Sequence, residues 1–146
     1  MPDTEELLHG GNTATVHRVG DTVRRQIRPW TANAQALLTY VRSRGVFCVP
    51  QPLGYDERGR EVLSFIPGDV PHGAPTWLWA DSILEDAAKA LRQWHDATVD
   101  FTPLNSSWGL EPRHPAEVIC HNDFAPYNCV YDEGRAVGVI DFDFAS

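Results

Sequence analysis

Apolar and polar positions follow two different rhythms along the chain, and the changes between them mark out the elements. Residues 15–19 are short and β-branched, Gly20-Asp21 reads as a two-residue hairpin turn, and residues 22–27 as the return strand, stopped by Pro29. The rhythm then becomes helical. Leu37, Leu38 and Val41 supply an apolar stripe, Thr31 reads as an N-cap, and Gly45 stands where a C-terminal cap belongs, so a helix is expected over 31–44. Residues 46–55, broken by Pro50 and Pro52, read as an extended connector, and residues 61–66 as a mostly apolar strand. Pro67, Gly68, Pro71, Gly73 and Pro75 make residues 67–80 a linker. Asp81 or Ser82 can cap a second helix, with Ile83, Leu84, Ala87, Ala88, Leu91 and Trp94 at helical spacing. Residues 101–117 show no period, and the end of the chain, from 118, reads as strand, polar loop and tight hairpin. The expected class is α+β, with a small antiparallel sheet lobe over 1–66, a linker over 67–80 and a further unit over 81–146.

Composition narrows the function. The net charge of −8 opposes binding to polyphosphate, so no nucleic-acid partner is expected, whereas a cationic small molecule is compatible with it. No apolar run approaches the roughly 18–20 residues of a membrane span, so no membrane partner is expected either. Cys48, Cys120 and Cys129 form no C-x-x-C pair and read as reduced thiols, and with the acidic start of the chain they suggest a cytoplasmic location. His114, Cys120, His121 and Cys129 fit no paired zinc-ligand spacing.

The chemistry concentrates in residues 120–146. Asp123 and Asn128 lie in His121-Asn122-Asp123-Phe124-Ala125-Pro126-Tyr127-Asn128, and Asp141 follows in Ile140-Asp141-Phe142-Asp143. A two-residue turn at Gly134-Arg135 would place Asn128 opposite Asp141, and a longer loop would shift the register by about one position. An amide and a carboxylate brought together form a hard oxygen site suited to Mg²⁺ shared with phosphates. Asp123 beside it could accept or orient the proton of an attacking hydroxyl. Any one of these aspartates alone is more simply a turn cap or a solvated strand end; the set at this spacing carries the reading.

His121-x-Asp123-x4-Asn128, followed by Ile140-Asp141-Phe142, resembles the catalytic and metal loops of the aminoglycoside phosphotransferase and choline kinase type of protein-kinase-like fold. Gly10-Gly11-Asn12-Thr13 looks like that family's phosphate loop, residues 63–68 like its hinge strand, and residues 91–95 like the helix end before the catalytic loop. The resemblance implies a nucleotide-binding sheet lobe with one helix and the first part of a helical lobe. It makes Asp123 the catalytic base and Asn128 and Asp141 the Mg²⁺ ligands, with Asp143 a further candidate and His121 a loop-stabilising residue. Gly11, Asn12 and Thr13 would meet the phosphates of ATP, and the backbones of Ser64 and Ile66 the adenine. Arg24 stands where the family places a phosphate-binding Lys, with Arg25 beside it, and residues 31–44 contain no acidic partner for either.

The family continues with helices beyond the metal loop, so the chain reads as truncated there. Phe142 and Phe144 are accordingly expected to be left with little to pack on, and the C-terminal hairpin to mediate self-association. The implied function is ATP-dependent phosphoryl transfer to a hydroxyl of a small-molecule acceptor. The alternative is a catalytically inactive nucleotide-binding or interaction module derived from such a kinase.

Overall fold

The computed structural model describes residues 4–9 and 15–146. Five strands form one antiparallel sheet: β1 (Glu5–Leu8), β2 (Val16–Val19), β3 (Thr22–Arg25), β4 (Pro52–Tyr55) and β5 (Glu61–Ser64), in the order β1-β2-β3-β5-β4. The turn at Gly20-Asp21 lies where expected, with Gly20 at φ +59° and Val19 paired to Thr22. β4 falls within the stretch read as a connector. Pro52 is tolerated there because β4 is an edge strand, where a missing N–H donor goes unnoticed.

Helix α1 (Thr31–Ser43) follows β3 and lays Ala34, Leu37, Leu38 and Val41 into the interior. Each large aliphatic side chain buried this way contributes about 1.5–3 kcal/mol. Trp30 takes the N-cap position instead of Thr31, whose hydroxyl accepts a hydrogen bond from the Arg28 N–H at 2.8 Å. Gly45, at φ +89°, ends the helix in the left-handed region that favours glycine.

After a 3₁₀ turn at Thr76–Trp79, α2 (Asp81–Thr98) buries Ile83, Trp94, Ala97 and Thr98. Leu84, assigned to its apolar stripe from the sequence, instead points outward and is 70% exposed. The last two strands, β6 (Cys129–Asp132) and β7 (Arg135–Val139), form a separate antiparallel hairpin. No strand begins at 118; Cys120 there exchanges two backbone hydrogen bonds with Ser146, at 3.0 and 3.2 Å.

One core joins the pieces. Leu37, Leu38, Val41, Val49 and Leu63 from the first part pack with Trp94, Ala97, Val139, Phe142 and Ala145 from the second. The linker is also tied down, because Asp69 and Tyr131 exchange backbone hydrogen bonds at 2.7 and 2.8 Å. Gly68 makes that approach possible, since a Cβ there would sit 2.6 Å from the Tyr131 carbonyl oxygen. The expected exposure of Phe142 is overturned. It is 4% exposed, with its ring 4.7 Å from Trp94 and 4.8 Å from His121, and Phe144 is half-buried. The chain turns back after β7 and presses the aromatic ring inward onto α2.

Candidate active site

The β6–β7 hairpin determines where the site residues meet. Its two-residue turn is Glu133-Gly134, one position earlier than the sequence suggested, and both residues have positive φ, +47° and +75°. Such a turn matches the twist of the strands it joins. A register shift between Val130 and Tyr131 then sets Cys129 opposite Val139. The Ile140 N–H donates to the Asn128 carbonyl at 2.9 Å, so Asn128 sits opposite Ile140, one residue from Asp141. Asp141 has φ +61°, an uncommon conformation for a residue with a side chain and one often held at functional sites.

Pro126 opens a single 3₁₀ turn, Pro126–Asn128, which brings Asn128 back onto Asp123. The Asn128 amide nitrogen donates to Asp123 Oδ2 and to the Asp123 carbonyl, each at 3.0 Å. Its own oxygen is thereby turned away from Asp123. Asp123 Oδ1 accepts a hydrogen bond from the hydroxyl of Tyr127, a residue that is half-exposed.

His121 lies beneath, 2% exposed. Its Nε2 faces the Ile140 carbonyl at 2.9 Å, and its Nδ1 accepts from the Asp123 N–H at 3.2 Å. The two contacts together call for a neutral ring protonated at Nε2, and burial pushes its pKa down in agreement. It bridges the loop carrying Asp123 to the strand end carrying Asp141.

The two arginines of β3 part company. Arg24 faces Asp56, with its Nε 3.4 Å from Oδ2, and hydrogen-bonds Thr22. Arg25 points the opposite way, toward the site: its guanidinium lies 2.5 Å from Asp143 Oδ2, 3.8 Å from Asp141 Oδ1 and 3.9 Å from Glu61 Oε2. Side chains alternate along a strand, and Val23 packs on the core, so Arg25 shares the inner face and Arg24 does not. That alternation was the signal for choosing between them.

Burial works against the charge on Arg25, but Asp143, Glu61 and Asp141 outweigh it and hold its pKa above the usual arginine value. Burial raises the pKa of Glu61 and of Asp141, and Arg25 opposes both shifts. Asp143 Oδ1 also accepts from Trp30 Nε1 at 3.3 Å. Glu61 and Trp30 were not singled out from the sequence; only the fold brings them here.

Ser64 ends β5, and its N–H and hydroxyl are engaged with Gln51 at 2.9 and 2.8 Å. The Ile66 N–H makes no hydrogen bond to another described residue, and its side chain lies over Gly138, where a Cβ would be 2.8 Å from Ile66 Cγ2. Gly11, Asn12 and Thr13 lie outside the described residues.

The donor set suits a hard cation held jointly with phosphates. Asp141 Oδ1 accepts weakly from the Asp143 N–H at 3.3 Å, and no described residue donates to Oδ2. Asn128 presents an amide oxygen one residue away across the hairpin. No group of three or more His, Cys, Asp or Glu suited to a metal occurs among the described residues. One carboxylate and one amide, completed by phosphates and water, is a usual arrangement for Mg²⁺ and would escape such a grouping.

Comparison with known proteins bears on the fold and on the C-terminal segment. Residues 107–146 match the family model described as "Phosphotransferase enzyme family". The fold over nearly the whole chain is that of the gentamicin–APH(2")-IIa complex, with a TM-score of 0.66, 14% identity, and coverage of 99% of this chain and 66% of that one. The streptomycin–ATP–APH(2")-IIa ternary complex superposes with a TM-score of 0.63 at 14% identity, covering 99% of this chain and 67% of that one. The macrolide 2'-phosphotransferase MphH from Brachybacterium faecium gives 0.65 at 15% identity, with 97% and 66% covered. The chain thus has a protein-kinase-like fold whose C-terminal segment carries the phosphotransferase-family signature, as the sequence resemblance implies.

A curated relative lies nearer in sequence. The trifolitoxin immunity protein of Rhizobium leguminosarum bv. trifolii is 38% identical over 148 residues, covering 97% of this chain. The chain spans 56% of that relative's length.

Proposed function

We propose that this chain supplies the nucleotide- and metal-binding part of a phosphotransferase acting on the hydroxyl of a small molecule, with ATP as donor. The observation that carries this is the convergence of Asp123, Asn128 and Asp141 on one hairpin end, with His121 bridging their loops. Asp123 is the base: it accepts the proton of the acceptor hydroxyl as the new O–P bond forms and the bond to the β-phosphate oxygen breaks, releasing ADP. Asn128 and Asp141 would hold Mg²⁺, which neutralises phosphate charge when bound. Ile66, whose N–H has no hydrogen-bond partner among the described residues, and Ser64 would meet the adenine, and Gly11, Asn12 and Thr13 would meet the phosphates.

The relative named for immunity to trifolitoxin, and the complexes with gentamicin and streptomycin, support a resistance role with a toxic compound as acceptor. The acidic balance of the chain favours a cationic one.

The first experiment is calorimetric titration of ATP into the chain with and without Mg²⁺. Binding is expected to require Mg²⁺ and to weaken about tenfold or more in Asp141→Asn. Absence of binding in both conditions contradicts the reading. Asp123→Ala is expected to abolish transfer while leaving Mg²⁺-dependent ATP binding within about threefold. Loss of both together would remove Asp123 from the role of base.

A second reading has its own support. The Tyr127 hydroxyl already occupies Asp123 Oδ1, and an arginine stands where the family uses lysine, as in a nucleotide-binding module without turnover. Mg²⁺-dependent ATP binding with no ADP release across an acceptor screen favours the module.

A further inference from the structure

The cluster around Arg25 has a composition that phosphate binding does not require. One guanidinium faces three carboxylates, on Glu61, Asp141 and Asp143, and its side chain is 13% exposed. Glu61 is its cross-strand partner on β5 and is itself buried. The acidic partner that α1 lacks is thus supplied by the sheet. Asp143 is fully engaged: Oδ2 by Arg25 at 2.5 Å and Oδ1 by Trp30 Nε1 at 3.3 Å. Its backbone is held as well, because a Cβ on Gly109 would lie only 1.7 Å from the Asp143 carbonyl oxygen, so the loop packs directly on that glycine. Asp141, two residues away, keeps Oδ2 without a donor among the described residues.

We propose that Arg25 is the resident cation of this cluster, and that by tethering Asp143 to the sheet it reserves Asp141 as the single carboxylate for the divalent ion. Arg25 is then a positioning residue that acts through Asp143, not a ligand of the nucleotide phosphates. Its planar fork suits the task, since it reaches several carboxylates at once where a lysine ammonium would act as a point charge. The placement also carries an electrostatic consequence. A fixed positive charge 3.8 Å from Asp141 Oδ1 opposes a second cation there, and removing it strengthens the attraction of the remaining carboxylates for a metal. The inference rests on the metal reading of Asp141 given above, but not on turnover.

The test uses the whole chain and Mn²⁺ alone, titrated by electron paramagnetic resonance without nucleotide. Arg25→Gln is expected to bind Mn²⁺ about tenfold or more tighter than the unmodified chain. Adding Asp143→Asn to that variant is expected to reverse most of the gain. Asp143→Asn alone should change Mn²⁺ affinity by less than about threefold, while Asp141→Asn lowers it by about tenfold or more.

A second readout separates tethering from phosphate binding. At saturating Mg²⁺, where the metal site is filled in both proteins, Arg25→Gln should keep ATP affinity within about threefold of the unmodified chain, whereas a phosphate ligand would lose far more. Arg25→Gln binding Mn²⁺ no tighter, including no binding in either protein, overturns the proposal. So does an Asp143→Asn loss as large as that of Asp141→Asn. Circular dichroism checks folding, and if Arg25→Gln does not fold, the comparison of Asp143→Asn with Asp141→Asn decides the matter. Failure of the unmodified chain to bind ATP under any condition would count against the broader function instead.

Discussion

His121 shows how much a single side chain in this site depends on one protonation state. Its ring donates from Nε2 to Ile140 and accepts at Nδ1 from Asp123, which only the neutral form does. Burial lowers its folded-state pKa beneath the ordinary value of 6.5, which the unfolded chain retains. Above that value both states are neutral and the contribution to stability is complete. As pH falls below it, the unfolded ring takes up a proton that the folded ring resists, so stability is lost on acidification. Chemical denaturation at pH 7.5 and at pH 5.5 should show the lower midpoint at pH 5.5, and His121→Gln should flatten that difference. An unchanged slope in the variant would assign the pH dependence to other groups. This residue was legible in the sequence only as a loop residue beside Asp123; its two partners depend on the meeting of two loops 19 residues apart.

Between elements, Asn33, fully buried on α1, makes a polar tie to a segment far along the chain. Its amide donates to the carbonyls of Asn105 and Ser107 at 2.9 and 3.0 Å, and its oxygen accepts from the N–H groups of Leu104 and Asn105 at 2.9 and 3.3 Å. The irregular segment 104–107 is thereby fastened to the first helix without secondary structure of its own. Asn33→Ala would strand these backbone groups and is expected to destabilise the fold by about 2–4 kcal/mol, read as a lower denaturant midpoint at constant slope. A change under about 0.5 kcal/mol would mean that water replaces the amide easily. Nothing in the sequence marks this asparagine, because its partners lie more than 70 residues away. The hairpin offers the reverse case. The turn and its glycine were evident locally, and only the one-residue displacement and the bulge escaped.

At the scale of the whole molecule, the sheet with α1 and the segment with α2 share one interior, and Phe142 is its meeting point. Replacing Phe142 by Ala is expected to cost about 3–5 kcal/mol and lower the melting temperature by about 10–15 °C, because Trp94 and His121 lose their common contact. A loss below about 1 kcal/mol would show that the ring contributes little to the shared core. That core accounts for the difference between what was readable beforehand and what was not. Periodicity located α1, α2, the β2–β3 hairpin and β5, since each follows from local rules of side-chain direction, turn geometry and capping. The spacing of Asp123, Asn128 and Asp141 marked the candidate site for a related reason: these residues sit on one short loop and one hairpin, where chain connectivity keeps them close. Contacts between distant segments had no local signature. Burial of Phe142, recruitment of Glu61 and Trp30 around Arg25, and the choice of Arg25 over Arg24 required knowing which face of β3 turns inward. Sequence by itself therefore determined most of the elements, the kinase-like order and the candidate site loop. Tertiary structure alone decided the charge partners, because the alternation of a strand fixes only relative directions until the core selects a side.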